Sequence, residues 1–142
     1  ALGSGNQNLF KAYSNYGLPL GEAFQLRDDI LGIFGDPQET GKPAGDDLRE
    51  GKRTVLLAKV MELADAGQKA EISSTLGNQN LEIAQVDKVR EIFIATGALS
   101  QVEELISTLT SSAQSALEHG EINPMAKSAL TQLLTIVTQR KL

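Results

Sequence analysis

Apolar residues recur at spacings of three and four along most of this chain, and strict apolar–polar alternation never holds for six residues. The pattern predicts helices throughout. Asn6 to Tyr16 reads as a short helix ended by Gly17, and a second runs from Pro19, suited to a first turn, to about Phe34, closed by Gly35. Its apolar stripe is Leu20, Ala23, Phe24, Ile30, Leu31 and Phe34. From Gly35 to Lys52 the chain is polar and dense in Gly, Pro and Asp, which predicts a long loop. Thr54 reads as the N-cap of a helix over Val55 to Ala66, followed by Gln68 to Leu76, a loop at Gly77 to Asn80, and Gln85 to Ala95, stopped near Gly97. Leu99 to His119 carries a long stripe through Val102, Leu105, Ile106, Leu109, Ala113, Ala116 and Leu117. Asn123-Pro124 opens a last helix from Met125 to about Arg140. The fold class is all-α.

Composition narrows what such a helical protein does. The 142 residues fit one domain, and 41% hydrophobic content is enough for a core. Thirteen basic and eighteen acidic residues give a net charge of −5 without long runs of one sign, which disfavours a nucleic-acid partner. With no cysteine and one histidine, disulfides, thiolate metal sites, multi-histidine zinc sites and most histidine relays are excluded. His119, near a predicted helix end, is accounted for as a surface group opposite the helix dipole. No apolar run approaches the roughly 18–20 residues of a membrane span, so stable membrane insertion is not expected and the default compartment is cytoplasmic. The chain opens directly in helical pattern without a start methionine, as a fragment would.

The chemistry concentrates in FQLRDDILGIFGDPQETGKPAGDDLREGKRT, Phe24 to Thr54. Gln25, Asp28, Asp29, Gly32 and Asp36 fall at helical spacings, and are expected opposite the apolar stripe. Adjacent carboxylates repel unless a cation neutralises them, and oxygen-only ligands suit Mg2+ shared with substrate phosphates. Lys42, Asp46, Asp47, Arg49, Lys52 and Arg53 follow, so carboxylates for metal stand beside cations for phosphate oxygens. Other motifs fail. Gly35 to Lys42 is one residue too long for a P-loop and has Pro43 where Ser or Thr would bind the metal. Asp36 to Asp47 has EF-hand length and Gly41 at the sixth position, but Gln38 and Thr40 are weak ligands and Asp47 replaces the bidentate Glu.

The whole string resembles the second aspartate-rich region and lysine loop of the trans-isoprenyl diphosphate synthases, roughly F-Q-x-x-D-D-x-x-D, G-D, then G-K-P-x-G-x-D-L-x-x-G-K-x-T. Phe24, Gln25, Asp28, Asp29, Gly35, Asp36, Gly41, Lys42, Pro43, Gly45, Asp47, Leu48, Gly51, Lys52 and Thr54 match. Tyr16-Gly17, Leu20-Gly21 and Ala95-Thr96-Gly97-Ala98 extend the likeness over the chain. It implies the C-terminal helices of an isoprenoid-synthase-type bundle. It also implies an enzyme that condenses an allylic diphosphate with isopentenyl diphosphate, geranylgeranyl diphosphate being the best guess for its product. Asp28 resembles the direct Mg2+ ligand, Asp29 its neighbour acting through metal-bound water, and Asp47 the carboxylate supporting a further metal. Lys42 and Lys52 resemble the lysines on the allylic diphosphate, and Gln25 the glutamine beside the developing cation. Asp28, Asp29 and Lys42 would carry the catalytic role, and a homodimer is the family's expected assembly.

Two departures qualify the likeness. Gly32 stands where the family pattern has its third aspartate, which implies a weakened outer carboxylate. The first aspartate-rich motif and the N-terminal residues for isopentenyl diphosphate do not occur, so residues 1–142 correspond to the C-terminal 40% or so of a single all-α synthase domain. Half a site follows, and the isolated chain is expected to be inactive. A class I terpene cyclase and a non-catalytic subunit are the alternatives; the lysine loop and the scarcity of aromatics argue against the cyclase. Lacking apolar anchors, the loop is expected to be weakly held until ligand arrives.

Overall fold

The structure, a computed structural model, describes residues 6–138. Among them the chain forms eight helices and no strand: α1 (Gln7–Phe34), α2 (Pro37–Thr40), α3 (Asp46–Glu50), α4 (Val55–Leu63), α5 (Ala66–Thr75), α6 (Ile83–Ala95), α7 (Ala98–His119) and α8 (Pro124–Thr138). The all-α expectation holds. No single helix among the described residues is long and apolar enough to cross a membrane.

The largest correction lies in α1. The expected break at Gly17 and Pro19 is absent, and one helix runs through both. Proline removes one helical hydrogen bond and its ring crowds the carbonyl four residues back, a cost of about 3 kcal/mol. The buried positions Tyr16, Leu20, Ala23, Leu26, Ile30 and Ile33 keep helical spacing across the site of the expected break. Burial of a continuous stripe outweighs two local helix breakers. That stripe is also rotated from the expected one: Leu26 and Ile33 are buried, whereas Phe24 is exposed.

Contacts divide the chain into two compact units. One comprises residues 6–25 and 104–138 of the described chain. Its core gathers Ala12, Tyr16, Leu20, Ala113, Leu117, Ile122 and Leu134, with Leu130 and Val137 packed against them. The Tyr16 hydroxyl donates to the Leu130 carbonyl at 2.8 Å. In this unit α8 starts as expected, the Asn123 side chain accepting from the Met125 N–H; the expected end near Arg140 lies outside the described residues.

The other unit, residues 26–103, holds α2 to α6 and the candidate chemistry. Its buried side chains include Ile30, Leu48, Leu56, Val60, Ile72, Val86, Val89 and Phe93, and Phe34 meets Phe93 edge to face at 6.3 Å. Thr54 caps α4 as expected, accepting from Leu57 N–H at 3.0 Å. The helix stops at Leu63, earlier than expected, because Asp65 caps α5 in a reciprocal box with Gln68. Helix α6 starts two residues early, at Ile83, where the Gln85 side chain accepts from the Glu82 N–H. The polar stretch from Gly35 to Lys52 is not a bare loop. Asp36 caps the single turn of α2, and α3 stands between Gly45 and Gly51, both at positive φ. A Cβ at Gly45 would strike Val86, and one at Gly51 would crowd the backbone of Gly77, so both close approaches require glycine.

Candidate functional site

The Asp28-Asp29 pair occupies the last turns of α1. Asp28 is half-buried, but Asp29 is buried, at 3% exposure, because it lies between the core positions Leu26, Ile30 and Ile33 of the same helix. The expectation that both carboxylates point away from the apolar stripe is therefore corrected for Asp29: the stripe that is buried is rotated toward it. A second carboxylate, Asp47 of α3, is buried to a similar degree. Between them stands Lys52, whose Nζ donates to Asp29 Oδ1 and to Asp47 Oδ2, each at 3.2 Å. The Lys52 backbone N–H also donates to the Asp47 carbonyl at 2.9 Å, which fixes the short path between the two residues.

Burial pushes the Asp47 carboxyl above its ordinary value, against the pull of Lys52 and with added repulsion from Asp29. Burial also disfavours the Lys52 ammonium, but the hydrogen bonds and charges of Asp29 and Asp47 outweigh it and hold that group above its ordinary value. One cation thus bridges two buried anions, and its outer side stays open to solvent.

Lys42 is largely exposed between α2 and α3, with Nζ 3.4 Å from Asp46 Oδ2. The structure brings Asp29, Asp47 and Lys52 into one cluster and leaves Lys42 outside its direct contacts. Gln25 is exposed, one turn before Asp28 on α1, in the part of the helix that belongs to the other compact unit.

The stretch that presents Asp47 and Lys52 has anchors of its own within the unit. Leu48 is buried, and its carbonyl accepts from Gly77 N–H at 2.8 Å. Arg49 donates through its guanidinium to the carbonyls of Ala44, Gln79 and Leu81 at 3.2, 2.9 and 2.7 Å. Gln79 returns a bond to the Arg49 carbonyl. Sequence reasoning counted Arg49 among the cations for phosphate oxygens, but its guanidinium is taken up by backbone carbonyls, two of them some thirty residues away, that no local pattern marks. At the head of the same unit, Arg27 forms a two-bond ion pair with Glu103 at 2.7 and 2.8 Å, which ties α1 beside Asp28 to α7.

Among the described residues no group of three or more His, Cys, Asp or Glu side chains converges into a metal cage. A few carboxylates beside lysines fit Mg2+, which keeps several waters and takes other ligands from phosphate, better than a cation that needs an all-protein shell.

Comparison with known proteins identifies the family. The pattern of the polyprenyl synthetase family matches residues 1–93, and the chain belongs to that family. It is 36% identical over 141 residues to the geranylgeranyl diphosphate synthase of Saccharolobus solfataricus, covering 99% of this chain and 42% of that protein. A crystal structure of geranylgeranyl pyrophosphate synthase from Corynebacterium glutamicum, complexed with isoprenyl diphosphate and magnesium, superposes with a TM-score of 0.89 at 41% identity, over 96% of this chain and 39% of that one. A polyprenyl synthase from Caulobacter crescentus, complexed with calcium and isoprenyl diphosphate, gives 0.77 at 32%, over 93% and 40%. The chain spans about two fifths of the length of the relatives it matches.

Proposed function

We propose that these residues form the C-terminal part of a Mg2+-dependent isoprenyl diphosphate synthase that condenses an allylic diphosphate with isopentenyl diphosphate. The product is a short- or medium-chain isoprenyl diphosphate, and the similarity to two geranylgeranyl diphosphate synthases supports geranylgeranyl diphosphate. The observation that carries the reading is the Asp29–Lys52–Asp47 cluster beside Asp28, formed by the residues of the family motif. In this reading Asp28, Asp29 and Asp47 hold Mg2+ directly or through water, and the metal neutralises charge on the diphosphate. Lys42, exposed and able to reach outward, contacts the diphosphate of the allylic substrate, and Lys52 does so from its solvent-open side. Gln25 lies along the allylic chain.

The allylic carbon–oxygen bond breaks and diphosphate leaves. The isopentenyl double bond then attacks the cation to form a carbon–carbon bond, and the adduct loses a proton. The barrier follows the charge developing on the leaving diphosphate, so fixed cations at that point lower it most. A homodimeric, cytoplasmic enzyme whose N-terminal part supplies the first aspartate-rich motif completes the proposal. The test is a full-length synthase incubated with allylic and isopentenyl diphosphates and Mg2+, with products resolved by chain length. A longer isoprenyl diphosphate is the expected product; a cyclic hydrocarbon, or no turnover of either substrate, overturns the reading.

A further inference from the structure

Lys42 and Asp46 form one ion pair, 3.4 Å long, but the two side chains are held very differently. That of Lys42 is 63% exposed and turns on several rotatable bonds, so its ammonium is fixed only where something binds it. That of Asp46 is 17% exposed and belongs to the first residue of α3. This short helix is seated by the buried Leu48 and by the close approach of Gly45 to Val86. The backbone on both sides of the pair is fixed as well. The Lys42 N–H donates to Thr40 Oγ1 at 3.3 Å, and the Gly45 carbonyl accepts from the N–H groups of Leu48 and Arg49. Lys42 is also near enough to Asp47 for its charge to draw that carboxyl downward, against the effect of burial. The family pattern specifies the lysine at 42 and the aspartate at 47 but leaves position 46 open.

We infer that Asp46 is a positioning residue for Lys42: from the fixed end of α3 it holds the mobile ammonium ready for the diphosphate of the allylic substrate. The inference rests on the assignment of Lys42 to that diphosphate. An ammonium has three donors, so one directed at Asp46 leaves two for phosphate oxygens. A lysine already held in place also gives up less rotamer freedom when the diphosphate arrives. Charge alone argues the other way. A carboxylate beside an incoming anion repels it, and if repulsion were the main effect of Asp46, removing its charge would tighten binding. Asp46 is largely covered and already paired with Lys42, so the ammonium offsets its charge and the ordering of the lysine prevails. The two accounts predict opposite signs.

The experiment uses the full-length synthase with Asp46→Asn, Asp46→Glu, Lys42→Gln and the double variant Asp46→Asn/Lys42→Gln. Two quantities are read with Mg2+ present: the Kd of an unreactive allylic diphosphate analogue, by calorimetry, and the separate KM values of the allylic and isopentenyl substrates. Asp46→Asn is expected to raise the Kd and the allylic KM by up to about fivefold, the upper range for an exposed ion pair, and to leave the isopentenyl KM unchanged. Asp46→Glu, which keeps the charge, is expected to stay within about twofold of the parent. In the Lys42→Gln background the Asp46→Asn change is expected to add nothing, because the group it positions is gone. Structural damage would appear in both backgrounds. Unchanged or tighter binding in Asp46→Asn overturns the inference, as does an equal loss in the two backgrounds. A Lys42→Gln enzyme that binds the analogue as the parent does ends the assignment of Lys42 to the diphosphate and the inference with it. A weakened Lys42→Gln beside an unaffected Asp46→Asn ends the inference alone.

Discussion

The carboxylates at this site differ in burial, and that difference sets what each can do. Asp28 is half-buried beside Asp29, whereas Asp29 and Asp47 are sequestered with Lys52. Removing Asp28 should therefore cost transition-state stabilisation with little effect on folding. Asp28→Ala in the full-length enzyme is expected to lower kcat by ~10²–10³-fold, the effect of losing a charge-stabilising contact. Near-normal turnover at saturating Mg2+ would end its assignment. Tyr16 offers a residue-scale test in the other compact unit. Its hydroxyl bonds the Leu130 carbonyl, and burial raises the phenol above its ordinary value of 10.0. Below that pH the phenol is neutral in folded and unfolded chains, so its contribution is fully present. As pH rises past 10.0 the unfolded chain ionises first, and stability falls until the folded phenol also ionises. Tyr16→Phe should lose about 1 kcal/mol near neutral pH and show a shallower alkaline decline in denaturant titrations. An identical decline would mean that another group causes it.

At the scale of elements, what the sequence could tell depended on how local the deciding interactions are. Helices α7 and α8 start within a residue of expectation because long stripes and an Asn-Pro start dominate them. The expected break in α1 failed because Gly17 and Pro19 are local signals, set against a stripe spanning the helix. Restoring the missing donor should accordingly help. Pro19→Ala is expected to stabilise the protein by about 1–3 kcal/mol, seen as a raised denaturation midpoint. Destabilisation would show that the proline is needed for packing. The burial of Asp29 was equally illegible, since its partner lies 23 residues away on another element. The same holds for Arg49, whose carbonyl partners at Gln79 and Leu81 follow from how the loop after α5 returns. Arg49→Ala should destabilise by about 2 kcal/mol, given its partial exposure, and speed hydrogen exchange at Leu48 to Lys52. In the parent, Gly45 to Thr54 should be protected without ligand, and Mg2+ with a diphosphate analogue should add protection mainly from Gln38 to Lys42. Uniform protection across both stretches would remove the case for Lys42 as a ligand-responsive residue.

For the molecule as a whole, the deciding quantity is how much of a reacting centre these residues contain. On the proposed reading they supply the Asp28-Asp29 pair, Asp47 and two lysines to hold metal on one side of a diphosphate. The first aspartate-rich motif of the family pattern does not occur in them. Condensation needs two diphosphates held at once with reacting carbons near contact, and positioning of that kind is worth several orders of magnitude in rate. Large apolar side chains also remain uncovered: Leu18 is 75% exposed, Ile136 69% and Met125 83%. Such residues in numbers are expected where further protein covers them. The 142 residues produced alone are therefore expected to bind a hydrophobic dye and to form no detectable product from allylic and isopentenyl diphosphates with Mg2+. Coexpression with the N-terminal portion of a related synthase, which carries the first aspartate-rich motif, should lower dye binding and restore turnover. That restored turnover should disappear again when the added chain carries Asp28→Ala. Full activity of the 142 residues by themselves would show that one aspartate-rich pair suffices, and the two-part site would have to be abandoned.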